Sequence, residues 1–120
     1  GHVNIDDYVI LGGFTLVHQF CTLGINSFTA MGSAISKDVP PFVLVSGHMA
    51  KPYGLNSEGL KRRGFSTEAI SALKKAYKLL YRSKLSFEEA KSEIDALATE
   101  FEEVKVMAEF LKNSQRGIVR

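Results

Sequence analysis

Glu58 and Arg62 stand four residues apart, so a single helical turn would place a carboxylate and a guanidinium on one face. A guanidinium presents a planar fork that grips paired oxygens of a carboxylate or phosphate better than an ammonium does. The plain alternative is an i,i+4 ion pair on the surface, which needs no ligand. Arg63 adjoins this pair, and Asn56 precedes it. The first half of the chain offers His2 and His18, each without a partner motif; on residue type alone, a surface histidine is the better reading of either. With His48 there are three histidines, but their spacing assembles no convincing zinc set. Cys21 is the only cysteine, so it can form no internal disulfide and reads as a small buried apolar residue.

The elements that must position these groups show two periods. Every sixth residue from Ile5 is Ile5, Leu11, Val17, Leu23, Thr29 and Ile35, five of them aliphatic. The residues that follow are Asp6, Gly12, His18, Gly24, Ala30 and Ser36, mostly small. Small or branched residues stand two positions before each: Val3, Val9, Thr15, Cys21, Ser27 and Ser33. A hexapeptide β-solenoid needs this pattern, with the aliphatic side chain filling the axis and small residues letting the backbone turn a corner. Six hexads amount to about two coils of three hexads each. Ordinary amphipathic strands would alternate strictly, and Val9-Ile10-Leu11 breaks that alternation. His18 therefore stands where the repeat otherwise uses small residues, and that position demands a reason.

Pro40-Pro41 withhold two backbone donors, which predicts that the solenoid ends over residues 1–41 and that residues 42–56 form an irregular connector. Over residues 57–120 the period becomes helical. Ser66 caps a helix with Ile70, Leu73, Tyr77 and Leu80 on one face, and Lys74, Lys78 and Arg82 form a separate basic stripe. Ser86 and Glu89 make a capping box ahead of Phe87, Ala90, Ile94 and Leu97, and a third helix carries Val104, Met107 and Leu111. The expected whole is a mixed fold, solenoid followed by a small helical bundle.

With 120 residues, 45% apolar and 23% charged, the chain suits one globular unit or a piece of a larger one. Two coils without a cap leave a solenoid end open, so the carboxyl-terminal piece of a longer protein is expected. No apolar run is long enough to cross a bilayer and no leader opens the chain; a cytoplasmic location is the default expectation. Net charge is only +2, yet residues 60–85 are strongly basic and residues 87–110 acidic. A basic segment can recruit an anionic partner, and a solvated helix face explains it equally well.

The segments GHVNIDDYVILGG, VHQFCTLG, KDVPPF, GLNSEGLKRRGFS and AYKLLYRS, in that order, closely resemble the carboxyl-terminal part of the UDP-N-acetylglucosamine O-acyltransferase family. NSEGLKRRGFS is far more specific than any hexad pattern. The resemblance implies a left-handed parallel β-helix with a carboxyl-terminal helical domain, assembled as a homotrimer with sites between subunits. It also implies an enzyme of the first step of lipid A biosynthesis. An (R)-3-hydroxyacyl group passes from acyl carrier protein to the 3-hydroxyl of UDP-N-acetylglucosamine. No metal or dissociable cofactor is implied, because phosphopantetheine arrives on the carrier; neither nucleic acid nor membrane insertion is implied.

Such chemistry needs a base for the sugar hydroxyl and a donor for the oxyanion. By resemblance the base is a histidine upstream of this chain, which leaves the 120 residues inactive alone, and the backbone N–H of Gly1 is the oxyanion donor. His2, His18 and Gln19 match positions facing the nucleotide sugar, which would explain a histidine at a corner. Asn56, Glu58, Arg62 and Arg63 match the nucleotide-contacting segment, with Glu58 offered to ribose or uracil donors and arginine to the diphosphate. Met31 matches a position where the family limits the acyl groove, and some members have glycine there; the plain alternative is a methionine filling a core gap. Two rival classes remain: a non-catalytic trimerisation or structural solenoid module, and a related sugar N-acyltransferase, against which KRRGFS argues.

Overall fold

A computed structural model describes all 120 residues, 1–120. The hexads fold as six two-residue strands, β1 (Asn4–Ile5), β2 (Ile10–Leu11), β3 (Leu16–Val17), β4 (Thr22–Leu23), β5 (Phe28–Thr29) and β6 (Ala34–Ile35). Each pairs in parallel with the strand three hexads away: Ile5 faces Leu23, Leu11 faces Thr29 and Val17 faces Ile35. The axial column is therefore real, and its burial depends on stacking. Leu23, Thr29 and Ile35 are buried, whereas Ile5 and Leu11, with a neighbour on one side only, are about half exposed at 50% and 43%.

The backbone turns its corners elsewhere than the small residues suggest. His2, Tyr8, Phe14, Phe20 and Asn26 adopt left-handed φ values of 56 to 70°, and Gly32 continues the series at 77°. These positions lie three residues after each axial residue, and most carry large side chains. A left-handed L-residue costs roughly 1–2 kcal/mol. Corner amides meet that cost by bonding to the previous coil: Phe20 N–H donates to the His2 carbonyl at 2.7 Å, and Asn26 N–H to the Asp7 carbonyl at 3.1 Å. The small residues that follow the axial position serve a different purpose, close approach between coils. A Cβ on Gly12 would lie 2.5 Å from the Met31 nitrogen, and one on Gly24 would lie 2.5 Å from the Pro41 nitrogen.

Pro40-Pro41 do not end the stacking, which corrects the expected boundary. Val39 pairs with Leu23, and β7 (Val43–Ser46) pairs in parallel with β5, placing Leu44 opposite Phe28. Residues 42–56 are thus not irregular, since β8 (Lys51–Leu55) then returns antiparallel to β7. The prolines sit between pairing segments, where the ladder requires no donor, and it resumes when Phe42 N–H donates to the Ile25 carbonyl at 2.9 Å.

Four helices follow: α1 (Ser57–Arg62), α2 (Thr67–Tyr81), α3 (Phe87–Ala98) and α4 (Glu102–Asn113). Ser66 caps α2 through Ala69 N–H, and Ser86 and Glu89 close a reciprocal capping box at α3. Ile70, Leu73, Tyr77 and Leu80 are buried, as are Val104, Met107 and Leu111 on α4. These helices share one core of 22 residues with the coils, running from Leu23 and Val45 through Leu60 and Ile94 to Val119. Coils and helices are stabilised together because each leaves an apolar face that only the other covers.

Candidate functional site

Three corners of the coil divide the candidate residues among them. At the first, the His2 ring stacks on Phe20 with centroids 5.3 Å apart, and His18 and Gln19 lie just before Phe20 on the next turn. The His18 ring is exposed; its Nδ1 stands 3.0 Å from the Gln19 carbonyl oxygen and 3.4 Å from a guanidinium nitrogen of Arg116. Gly1 is exposed beside His2.

The second corner carries α1. Asn56 caps this helix by accepting from Gly59 N–H at 3.3 Å, while its amide donates to the Asn26 carbonyl at 3.0 Å. One side chain thus fixes α1 against a left-handed corner, and a Cβ on Gly59 would fall 2.5 Å from it. The Arg63 guanidinium lies over the Tyr8 ring, 3.3 Å from its centroid, a cation–π contact that uses Tyr8's left-handed position. Glu58 pairs with Lys61 at 3.7 Å rather than with Arg62. Arg62 is left exposed without an ion-pair partner. Nearby on the coil, burial and then the neighbouring charge of Asp7 hold the Asp6 carboxyl above its usual range.

Met31 belongs to the third corner. Its backbone packs onto Gly12, yet its side chain is 76% exposed and passes over Gly13. The core-filling alternative therefore does not describe it in this chain. Cys21 is fully buried, as expected, and burial pushes its thiol up despite the opposing pull of Arg116. The basic stripe borders the second corner at the start of α1. Lys74, Lys78 and Arg82 line a cleft of about 300 Å³ with Leu55, Ser57 and Tyr77, and no acidic residue enters it.

Within one chain, then, His2, His18 and Gln19 come together, Asn56, Glu58, Arg62 and Arg63 come together, and Met31 stands alone. Sequence reasoning missed Tyr8, Phe20 and Arg116. The first two share the position three residues after each axial residue, a regularity visible in the hexads once the corner is known. No local pattern marks Arg116.

Short parallel strands at six-residue spacing, stacked three hexads apart and sharing a core with appended helices, define the hexapeptide-repeat β-solenoid class. Residues 38–119 match the family model described as UDP-N-acetylglucosamine O-acyltransferase, domain 2. Over the whole chain it is 52% identical to an acyl-[acyl-carrier-protein]–UDP-N-acetylglucosamine O-acyltransferase of Thiobacillus denitrificans and 53% identical to that of Ectopseudomonas mendocina, covering 46% of each. A Francisella novicida UDP-N-acetylglucosamine acyltransferase superimposes with a TM-score of 0.97 at 43% identity, covering all of this chain and 44% of that one. The chain belongs to the UDP-N-acetylglucosamine O-acyltransferase family and spans about half the length of the curated relatives it matches.

Proposed function

We propose that the protein carrying this chain is the acyltransferase of its relatives' names, moving an (R)-3-hydroxyacyl group from acyl carrier protein to the 3-hydroxyl of UDP-N-acetylglucosamine, the first step of lipid A biosynthesis. The observation that carries the reading is the match along all 120 residues to enzymes of that name. The sugar oxygen attacks the thioester carbonyl, a base outside these residues takes its proton, and the Gly1 N–H receives the oxyanion before the phosphopantetheine thiol departs. His2, His18 and Gln19 position the nucleotide sugar, with Asn56, Glu58, Arg62 and Arg63 on its nucleoside diphosphate. Phosphopantetheine, attached to the carrier, is the only prosthetic group required.

The distribution over three corners supports a homotrimer. Residue sets on separate corners of one solenoid can face a common ligand only when a second copy brings its own corner alongside. A left-handed coil with further coils stacked on the half-exposed Ile5, Ile10 and Leu11 fits the same assembly. The acidic carrier would meet the cationic cleft of Lys74, Lys78 and Arg82. No helix is long and apolar enough to cross a membrane. A cytoplasmic location is part of the proposal and follows from the family's reaction.

Mass spectrometry of the product formed by the complete protein from 3-hydroxyacyl carrier protein and UDP-N-acetylglucosamine tests the reading. An ester at the sugar 3-hydroxyl is expected; no product would leave the structural-module alternative, and transfer only to an amino sugar would indicate the N-acyltransferase. Arg62→Ala should weaken nucleotide-sugar binding about tenfold, near 1.5 kcal/mol. That is the low end for a hydrogen-bonded charge, because Arg62 is exposed before binding. Folding should be unchanged, since no ion pair is lost. Unaltered affinity by calorimetry would move Arg62 out of the nucleotide site.

A further inference from the structure

After α4 the chain doubles back onto the coil at Asp38. Ser114 Oγ donates to Asp38 Oδ2 at 2.6 Å, Asp38 N–H donates to the Gly117 carbonyl at 2.9 Å, and Val119 N–H donates to the Asp38 carbonyl at 2.9 Å. Arg116 is thereby held between two anchored points, and its guanidinium lies across the first corner. The nitrogen that stands 3.4 Å from His18 Nδ1 is also 3.4 Å from the Ser36 carbonyl oxygen. Ser36 is the residue stacked one coil beyond His18.

The two neighbours of His18 Nδ1 make opposite demands. A guanidinium has donors only, so a bond from Arg116 requires an unprotonated Nδ1; the Gln19 carbonyl only accepts, so a bond to it requires Nδ1–H. In a neutral imidazole one nitrogen carries the proton, and the bond made at one decides what the other presents. The carbonyl is closer, but the guanidinium carries a full charge and the same nitrogen is also held by the Ser36 carbonyl. We infer that Arg116 is a positioning residue that holds His18 in the Nε2–H tautomer, so that the ring offers a donor to the oxygens of the nucleotide sugar. The ligand half of this inference rests on the function proposed above, while the Arg116–His18 half does not. Without Arg116 the ring would bond the Gln19 carbonyl through Nδ1–H and turn a lone pair on Nε2 toward the ligand, where phosphate and carbonyl oxygens of the nucleotide sugar have no proton to give it.

Two-bond proton–nitrogen correlation spectra of the complete, ligand-free protein labelled with nitrogen-15 histidine read the tautomer directly, with His18→Gln identifying the resonances. At alkaline pH the unaltered protein should show His18 protonated at Nε2. Arg116→Met, similar in length but without donors, should gain the Nδ1–H form, and Arg116→Lys should restore part of the original pattern. In the acyl-transfer assay Arg116→Met should raise KM for UDP-N-acetylglucosamine about 3–10-fold, the scale of one hydrogen bond, with any fall in kcat smaller than that rise. His18 found protonated at Nδ1 in the unaltered protein would overturn the Arg116 half, and that spectrum decides even if Arg116→Met fails to fold. A pattern unchanged in a folded Arg116→Met protein would overturn it too. A changed tautomer with unchanged KM would overturn the ligand half alone and remove His18 from the nucleotide site.

Discussion

Replacing Asp38 by alanine is expected to destabilise the protein by about 3 kcal/mol, because the carboxylate makes two bonds of the charge-assisted kind, each worth roughly 1.5–3 kcal/mol, offset in part by relief of its own desolvation. Asp38 is only 4% exposed; Oδ1 accepts from Thr22 N–H at 2.8 Å and Oδ2 from Ser114 Oγ. Alanine would leave the Thr22 N–H without its acceptor and release the chain after α4. Asp38→Asn should cost distinctly less, since an amide oxygen still accepts from Thr22 while the rotatable Ser114 hydroxyl can accept from the amide nitrogen. Native-state hydrogen exchange checks the local part of this result. The Val119 amide, bonded to the Asp38 carbonyl, should lose protection in Asp38→Ala, whereas amides in the middle of α2 should change only as far as global stability does. Unchanged protection at Val119 would show that the backbone bonds at residue 38 and the packing of the buried Ile118 and Val119 hold the tail without the carboxylate.

Under the proposed acyl-transfer function, with Met31 as the limit of the acyl groove, Met31→Gly should shift the preference of the complete protein toward longer 3-hydroxyacyl chains by about 30–100-fold in relative kcat/KM. Each methylene that a groove can bury is worth roughly 0.8 kcal/mol, and the methionine side chain occupies the space of about three. The prediction depends on that side chain reaching outward, which its 76% exposure and its course over Gly13 allow. For the same reason the substitution should cost little stability, unlike truncation of a methionine in a packed core, which typically costs about 2–5 kcal/mol. Relative rates measured across a series of carrier-bound chain lengths decide the matter. Equal ratios in the two proteins, with the variant folded and of unchanged oligomeric state, would eliminate Met31 as the limit of the groove.

The amino-acid sequence by itself determined the features that repeat or act over a few residues. A residue every sixth position that fills an axis is a local regularity, and Leu23, Thr29 and Ile35 bear it out by their burial. Ser66 and the Ser86–Glu89 pair are equally legible, since a cap satisfies helix donors two or three positions away. Family membership was legible in NSEGLKRRGFS, whose Asn56 and Gly59 prove to be in direct contact. What lay beyond reach of such patterns depends on residues distant along the chain. The stacking continues past Pro40-Pro41 because the missing donors fall between pairing segments, a matter of register and not of composition. Glu58 chose Lys61 over Arg62, although both spacings suit a helix, and only the placed side chains decide between them. The left-handed corners at Phe20, Asn26 and Gly32 take carbonyls of the previous coil as acceptors, so the small residues nearby were free to admit close neighbours instead. Arg116 reaches His18 across 98 positions, through a tail fastened at Asp38. A contact of that kind leaves no periodicity behind, since it exists only once coils and helices have closed on one core.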